Sequence, residues 1–245
     1  MTFSFTGLAY LLGFFAVGLL TYRFFQYWRR EKTTVSKLFL YSVGIFCFFM
    51  FITAVIGLFF AKNTQILKGS VISAAFLQGL ACAVFGYLII YLKFPRISPW
   101  FGFSVVFLLG LTATALTIVI PFHPFLEETG AINWGFQPLA DLFRFLVFFI
   151  TFVPLAFILT QQFRISEDFY IKARSLGMGL LLLFGLITGL FDFFLENVLK
   201  LGAISSDIAL GLFSLSLFIL VFLTQKPPPT EEKYVSPPPS PKIPW

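Results

Sequence analysis

Four ionisable residues lie within or at the ends of otherwise apolar stretches of the sequence. Asp141 and Arg144 are three residues apart, and Asp192 and Glu196 are four apart. Either spacing places two side chains on one face of a helix, so the members of each pair can act together. Three carboxylates with one guanidinium leave net negative charge, which favours a cation or a proton. Because a charge in hydrocarbon costs about 2.5–3.5 kcal/mol, the group predicts a ligand or ion site. A structural ion pair and solvated helix ends are the alternatives.

The loop at residues 122–137 supplies two further candidate ligand-binding residues, His123 and Trp134. It reads FHPFLEETGAINWGFQ and separates two apolar stretches. Apolar side chains are interspersed among its polar ones, so we expect an amphipathic lid that lies on the membrane above the four ionisable residues. The apolar members are Phe125, Leu126, Ile132 and Trp134.

Enzyme chemistry is mostly excluded by what the sequence lacks. Its one histidine, His123, is too few for a zinc hydrolase. It has neither the Gly-x-Ser-x-Gly motif of a serine nucleophile nor a phosphate-binding glycine loop. Residues 208–223 hold no lysine that could bind retinal. Cys47 and Cys82 lie in the middle of apolar stretches and predict neither a disulfide framework nor a metal site. We therefore expect no catalytic residue, no metal and no cofactor.

The charged residues stand out because the rest of the chain is so apolar. Of 245 residues, 58% are hydrophobic and 11% are charged, whereas soluble domains carry about 25% charged residues. A hydrocarbon core of about 30 Å is crossed by about 20 helical residues. Residues 1–225 therefore predict an all-α bundle of seven transmembrane helices. The predicted spans are 5–28, 36–61, 70–92, 100–120, 139–162, 173–195 and 206–224.

The distribution of lysine and arginine predicts how the chain crosses the cell membrane. With Arg29 and Arg30 inside, thirteen basic residues fall on the inner side and four on the outer side. Basic residues in short loops resist translocation, so we expect the N-terminus outside and the C-terminus inside. The net charge of +6 then faces anionic lipid of the bilayer, and no nucleic-acid partner is expected.

Small residues at helical spacing predict close contacts between helices. Ala75, Gly79 and Ala83 follow one another at intervals of four in the third span, and Gly185 and Gly189 do so in the sixth. Side chains this small let helix backbones approach closely in lipid. Packing within the bundle is the favoured interpretation, and a homodimer face is the alternative.

Two basic stretches carry a resemblance to a known family. Tyr22 to Lys37 (YRFFQYWRREKTTVSK) forms a basic first inner loop, and Tyr170 to Arg174 (YIKAR) leads into a glycine-rich sixth span. With seven spans and short loops, this layout resembles the seven-helix sensor regions that precede bacterial histidine kinases. The resemblance implies a receptor-like sensor. The chain departs from that family after the seventh span, where no kinase follows, so signalling would need a separate cytoplasmic partner.

The final twenty residues, 226–245, form a proline-rich segment that contains eight prolines. Such a segment cannot bury a core, so we expect a disordered or extended cytoplasmic tail. A solvated tether is the favoured interpretation. Docking of the tail into an aromatic groove of a signalling protein is the alternative, and the inner loops are a second expected contact for such a partner.

The leading functional interpretation is a multi-pass membrane sensor that binds a small ligand or senses the membrane. A shift of 135 residues aligns Arg29 with Arg164 and Lys37 with Lys172, which would match spans one to three with spans five to seven. Repeats of this kind occur in transporters. A small permease or channel with a 3+1+3 helix arrangement is therefore the second interpretation. An accessory subunit of a membrane complex is the third.

Overall fold

Seven long helices dominate the computed structural model, which describes residues 4–135, 137–197 and 202–225, with only the backbone of residues 192–197. All seven are long and apolar enough to cross a membrane, so the chain has the predicted all-α architecture of a multi-pass membrane protein. The predicted tail, 226–245, lies outside the described residues. In chain order the elements are α1 (Phe5–Glu31), α2 (Thr34–Phe59), α3 (Thr64–Lys93), α4 (Pro99–Val119), β1 (Phe125–Leu126), β2 (Ile132–Asn133), α5 (Pro138–Ile165), α6 (Phe169–Asn197) and α7 (Ala203–Thr224).

Capping side chains, rather than charges, determine where several helices begin. The side chain of Asn63 accepts hydrogen bonds from two backbone N–H groups, so α3 begins well before the predicted residue 70. Asp168 does the same for α6, which begins before the predicted residue 173. Lys68 lies inside α3, and its ammonium nitrogen is 5.9 Å from the centroid of the Phe122 ring. This distance is within cation–π range, so the ring partly compensates the charge.

The helices form a ring in chain order. Each packs against the next, α7 closes the ring against α1, and α3 also contacts α5 across it. Successive connections alternate between two ends of the bundle. The end that carries Ser4, the 60–63 turn, the 120–137 loop and Gly202 is called the hairpin face. The opposite end, with residues 32–33, 94–98, 166–168 and Gln225, is called the basic face.

Positive charge is concentrated at the basic face. Among the described residues, the lysines and arginines near the hairpin face are only Lys62, Lys68 and Arg144. Lysine and arginine are therefore distributed unequally between the two ends of the bundle, as the predicted orientation assumes. The orientation itself stays a prediction. The basic residues at or near the basic face are Arg23, Arg29, Arg30, Lys32, Lys37, Lys93, Arg96, Arg164, Lys172 and Arg174.

A column of buried phenylalanines fills the centre of the ring. Phe24 of α1 stacks on Phe39 of α2, with ring centroids 5.0 Å apart. Phe39 contacts Phe85 of α3 at 5.7 Å, and Phe85 contacts Phe152 of α5 at 6.0 Å, both edge to face. Edge-to-face pairs add about 0.5–1.5 kcal/mol beyond burial of area. Since lipid tails are as apolar as these rings, packing rather than exclusion from water holds this core together.

Paired glycines bring α3 and α4 into backbone contact at two levels. A Cβ atom on Gly79 would lie 2.9 Å from the Cα of Gly110. Nearer the basic face, a Cβ atom on Gly102 would lie 2.3 Å from the carbonyl oxygen of Gly86. No side chain fits at either level, so the absence of Cβ atoms is what allows this helix pair to form.

The small residues predicted to pack lie in different environments on α3 and α6. On α6, a Cβ atom on Gly185 would make ordinary contacts with Phe152, whereas Gly189 is exposed and has no atom within 4 Å of that position. The described residues thus give Gly189 no helix partner, and the homodimer face stays a prediction. The predicted packing residues of α3 are all buried inside the bundle: Ala75, Gly79 and Ala83.

Candidate functional site at the hairpin face

The loop between α4 and α5 folds into a short antiparallel hairpin. Phe125 pairs with Asn133 and Leu126 pairs with Ile132. Gly130 completes the turn at a φ of 81°, a left-handed conformation that glycine adopts without a Cβ clash. The loop therefore has a defined backbone of its own.

Several apolar side chains of the hairpin pack against the bundle. Ile132 is 1% exposed. It packs against Ala61 in the turn between α2 and α3 and against Leu67 at the start of α3. Trp134 packs edge to face on Tyr10 of α1, with ring centroids 6.2 Å apart. Phe125, in contrast, is 51% exposed. The loop therefore caps the end of the bundle with some of its apolar side chains, and its contact with the membrane stays a prediction.

Two hydrogen bonds fasten the hairpin to α1, and a third joins α1 to α7. The backbone N–H of Phe5 donates to the carbonyl oxygen of Gly130 at 2.9 Å. The N–H of Ile132 donates to Thr6 Oγ1 at 2.7 Å, and the Thr6 hydroxyl donates to Asp207 Oδ2 at 2.7 Å. Thr6 is fully buried and Asp207 is 9% exposed. A single hydroxyl thus joins the hairpin, the start of α1 and the start of α7.

The same end of α1 is also held tightly against α2. The Ser4 hydroxyl donates to the carbonyl oxygen of Gly57 at 2.7 Å and accepts a hydrogen bond from the N–H of Gly7 at 2.9 Å. A Cβ atom on Gly57 would lie 2.8 Å from the Cα of Gly7, so the two backbones touch. The hairpin therefore sits on a rigid base.

Asp141 and Arg144 pair with each other and link α5 to the end of α4. Arg144 Nη1 lies 3.3 Å from Asp141 Oδ1, and Arg144 Nη2 donates to Thr117 Oγ1 at 3.2 Å. The Gln137 side-chain amide donates to the carbonyl oxygens of Thr117 and Ile120 at 3.2 and 2.7 Å. The backbone N–H of Gln137 donates to Asp141 Oδ2 at 3.4 Å. One polar network thus connects the end of the 122–137 loop with α4 and α5.

Arg144 faces α3 and α4 instead of extending toward α6. It lines a small crevice with Gln78 and Gly79 of α3 and Gly110 of α4. The crevice has room for about one water molecule. The predicted constellation with Asp192 and Glu196 stays a prediction, because those two side chains lie outside the described part of α6. His123, the other predicted loop residue, is exposed.

A second polar cluster lies at the basic face and is called the Arg174 cluster. Arg174 Nη1 of α6 lies 2.7 Å from Glu31 Oε1 at the end of α1. The Arg174 guanidinium carbon lies 4.6 Å from the centroid of the buried Tyr27 ring, within cation–π range. The side-chain amide of Gln225, just beyond α7, donates to the Arg174 carbonyl oxygen at 3.1 Å. The cluster therefore ties α1, α6 and the end of α7 together.

We expect Glu31→Gln to lower the stability of the folded bundle by no more than about 1 kcal/mol, the usual range for exposed ion pairs. Glu31 and Arg174 keep 35% and 26% of their side chains exposed, so solvent screens the pair. Arg174→Ala should cost more, because it also removes the contact with Tyr27. Thermal unfolding of both variants in bicelles at low and high salt tests this. Equal losses would show that the Tyr27 contact contributes nothing.

The sequence did not point to Thr6, Asp207 or the partners of Arg174. Asp207 stands at the start of an apolar stretch, as Asp141 does, so the same search for acids near span ends would have found it. Thr6 carried no such signal, because a hydroxyl near a helix start is common and its partner is 201 residues away.

No protein-family model, curated protein or solved structure matches the chain. Within the described ranges, no group of three or more His, Cys, Asp and Glu side chains is arranged to hold a metal ion.

Proposed function

We propose that the protein is a receptor-like sensor of the cell membrane, with its hairpin face outside and its basic face in the cytoplasm. A small ligand or a change in the membrane would act on the hairpin face and alter the Arg174 cluster. The observation that carries the proposal is that α1 and α7 bind each other at the hairpin face and both bind Arg174 of α6 at the basic face.

The coupling follows from where the contacts lie on α1 and α7. At the hairpin face, Thr6 of α1 binds Asp207 of α7 and the backbone of the hairpin. At the basic face, Glu31 of α1 and Gln225 after α7 both contact Arg174. The two helices run in the same direction, and α7 alone is about 33 Å long. Displacing the hairpin would shift one helix against the other, and a packed interface answers such a shift by changing between discrete arrangements.

The packing of the bundle supports a sensor over a permease. The centre of the ring is filled by the phenylalanine column, in which Phe85 is 1% exposed. The crevice beside Arg144 has room for about one water molecule, too little for a transported solute. A sensor needs helix movements and no continuous aqueous path.

The signal would pass to a separate cytoplasmic protein. Gln225 is fully buried against Arg174, and the proline-rich segment 226–245 follows it directly in the chain. A partner that binds this segment would therefore attach next to the Arg174 cluster. Such a partner would supply the output that in kinase sensor regions follows the seventh span in the same chain.

Distance measurements between the two faces test the coupling. In a Cys47→Ala, Cys82→Ala background, nitroxide labels on Lys32→Cys and Ser166→Cys report on the basic face in lipid nanodiscs. We expect Thr6→Val to change or broaden the distance distribution between these labels, because it removes the hydroxyl that joins the hairpin to α1 and α7. The matched control is Thr112→Val, since Thr112 is exposed and bonds only within its own helix.

The reference measurement uses labels on Lys62→Cys and Thr129→Cys at the hairpin face. If Thr6→Val alters this distance and leaves the 32–166 distance unchanged, the two faces are not coupled and the sensor proposal is wrong. If neither distance changes, the Thr6 hydroxyl does not hold the hairpin.

A further inference from the structure

The crevice between α3, α4 and α5 combines three features that together point to a bound molecule. It has room for about one water molecule. Arg144 Nε, on the crevice wall, is buried and makes no hydrogen bond to the described residues. Gln78, on the opposite helix, also makes no hydrogen bond within the part of the chain that the structure describes.

The buried Arg144 Nε needs a partner in this environment, and the partly buried Gln78 faces the same crevice. A guanidinium offers five N–H donors, and the other nitrogens of Arg144 bind Asp141 and Thr117. A buried N–H without an acceptor is unfavourable, more so where lipid replaces water. The side-chain amide of Gln78 can accept as well as donate. One molecule that accepts from Arg144 Nε and donates to Gln78 Oε1 would satisfy both.

We propose that the crevice binds one ordered water molecule between Arg144 Nε and Gln78. Water fits the room available and has both the acceptor and the donors that the walls require. An anion fits less well, because Asp141 already neutralises the Arg144 charge. The site is independent of the sensor proposal, since it depends only on the packing of α3, α4 and α5.

The water extends the polar network deeper into the bundle. Gln137 in the loop contacts Asp141, Asp141 pairs with Arg144, and the water continues this chain to Gln78 of α3. Its position beside Gly79 and Gly110 places it at one of the two levels where the backbones of α3 and α4 touch. The loop and the middle of α3 are thereby joined through hydrogen bonds.

Solid-state NMR of ¹⁵N-arginine-labelled protein in phosphatidylcholine–phosphatidylglycerol vesicles tests the site. The Arg144 Nε–H signal is assigned by its loss in Arg144→Lys. We expect magnetisation transfer from water to this N–H in the unmodified chain and its loss in Gln78→Leu. The matched control is Gln65→Leu, the same substitution at an exposed position of the same helix, which should leave the transfer unchanged.

A second variant keeps the test decisive if Gln78→Leu does not fold. Ala113→Val adds two methyl groups to the buried crevice wall and leaves both polar groups in place; it should also abolish the transfer. Absence of transfer in the unmodified protein overturns the proposal, as does transfer that survives both variants. An Nε–H that receives nothing from water but shifts when chloride is replaced by gluconate identifies an anion site and overturns it too.

Discussion

Replacing Gly102 by alanine should lower the free energy of unfolding by about 3 kcal/mol, the upper end of the range for overpacked cores. The new Cβ atom would lie 2.3 Å from the carbonyl oxygen of Gly86 and 2.5 Å from Ile90 Cγ1. A side chain such as Ile90 can change rotamer, but the Gly86 carbonyl belongs to the backbone of α3. The clash is therefore relieved only by moving α3 away from α4, which also weakens the contact between Gly79 and Gly110.

Gly69→Ala is the matched control, because a Cβ atom at Gly69 would have no other atom within 4 Å. There the intrinsic preference of helices for alanine should stabilise the protein, by about 0.8–1.0 kcal/mol at most. Reversible unfolding in bicelles, followed by tryptophan fluorescence, measures both variants. If the two alanines have the same effect, α3 and α4 are not in backbone contact at Gly86 and Gly102 in the membrane.

Phe85→Ala should lower the free energy of unfolding by about 2–3 kcal/mol, near the lower end of the values for large core truncations. Phe85 contacts rings on both neighbouring sides of the column, Phe39 of α2 and Phe152 of α5. Its removal leaves a cavity that α2 and α5 cannot both close. The loss is smaller than in a soluble protein, because a phenylalanine released from this core enters lipid rather than water.

Phe76→Ala provides the comparison for this loss on the same helix. Phe76 is 40% exposed and contacts Phe107 of α4 at its edge. Lipid chains can fill the space that its ring leaves, so the expected loss is well under that of Phe85→Ala. Unfolding curves of the two variants measure the difference. Losses of equal size would mean that the centre of the ring is no better packed than its lipid-facing surface.

The seven helices could be predicted because each needs about 20 uncharged residues and the chain is uncharged almost everywhere else. Their ends could not be predicted from charge alone. Asn63 and Asp168 start their helices through side-chain hydrogen bonds, and Lys68 lies within a helix because an aromatic ring covers it. The hairpin was missed as structure because its strands are two residues each, too short for alternation to be visible.

The pairing of Asp141 with Arg144 could be expected from their spacing of three, a local property of any helix. The direction in which this pair points could not be expected from the sequence, because it depends on the packing of α3 against α5 across the ring. Arg144 lies beside Gln78 of α3, and the predicted grouping with Asp192 and Glu196 stays a prediction. Contacts such as Arg174 with Glu31 join residues 143 positions apart, and nothing local in the sequence marks them.

Glycine contacts illustrate the same limit at shorter range. A spacing of four between small residues marks Gly79 but not Gly86, which is seven residues further along α3. Both glycines meet partners on α4, namely Gly110 and Gly102. The two glycine pairs become recognisable only when the antiparallel helices α3 and α4 are aligned with each other, because each helix holds one glycine of each pair.

The turn between α1 and α2 consists only of Lys32 and Thr33, and each is engaged at a helix end. Lys32 adopts a φ of 51° and its N–H bonds to the carbonyl oxygen of Trp28, while Thr33 caps α2. Because this turn is so short and both its residues are bonded to the helix ends, a tilt of α1 also tilts α2. Nearby cations then swing together relative to the lipid phosphates: Arg29, Arg30, Lys32 and Lys37. With about 1 kcal/mol per basic residue near an anionic surface, the proportion of acidic lipid would itself bias the angle of this helix pair.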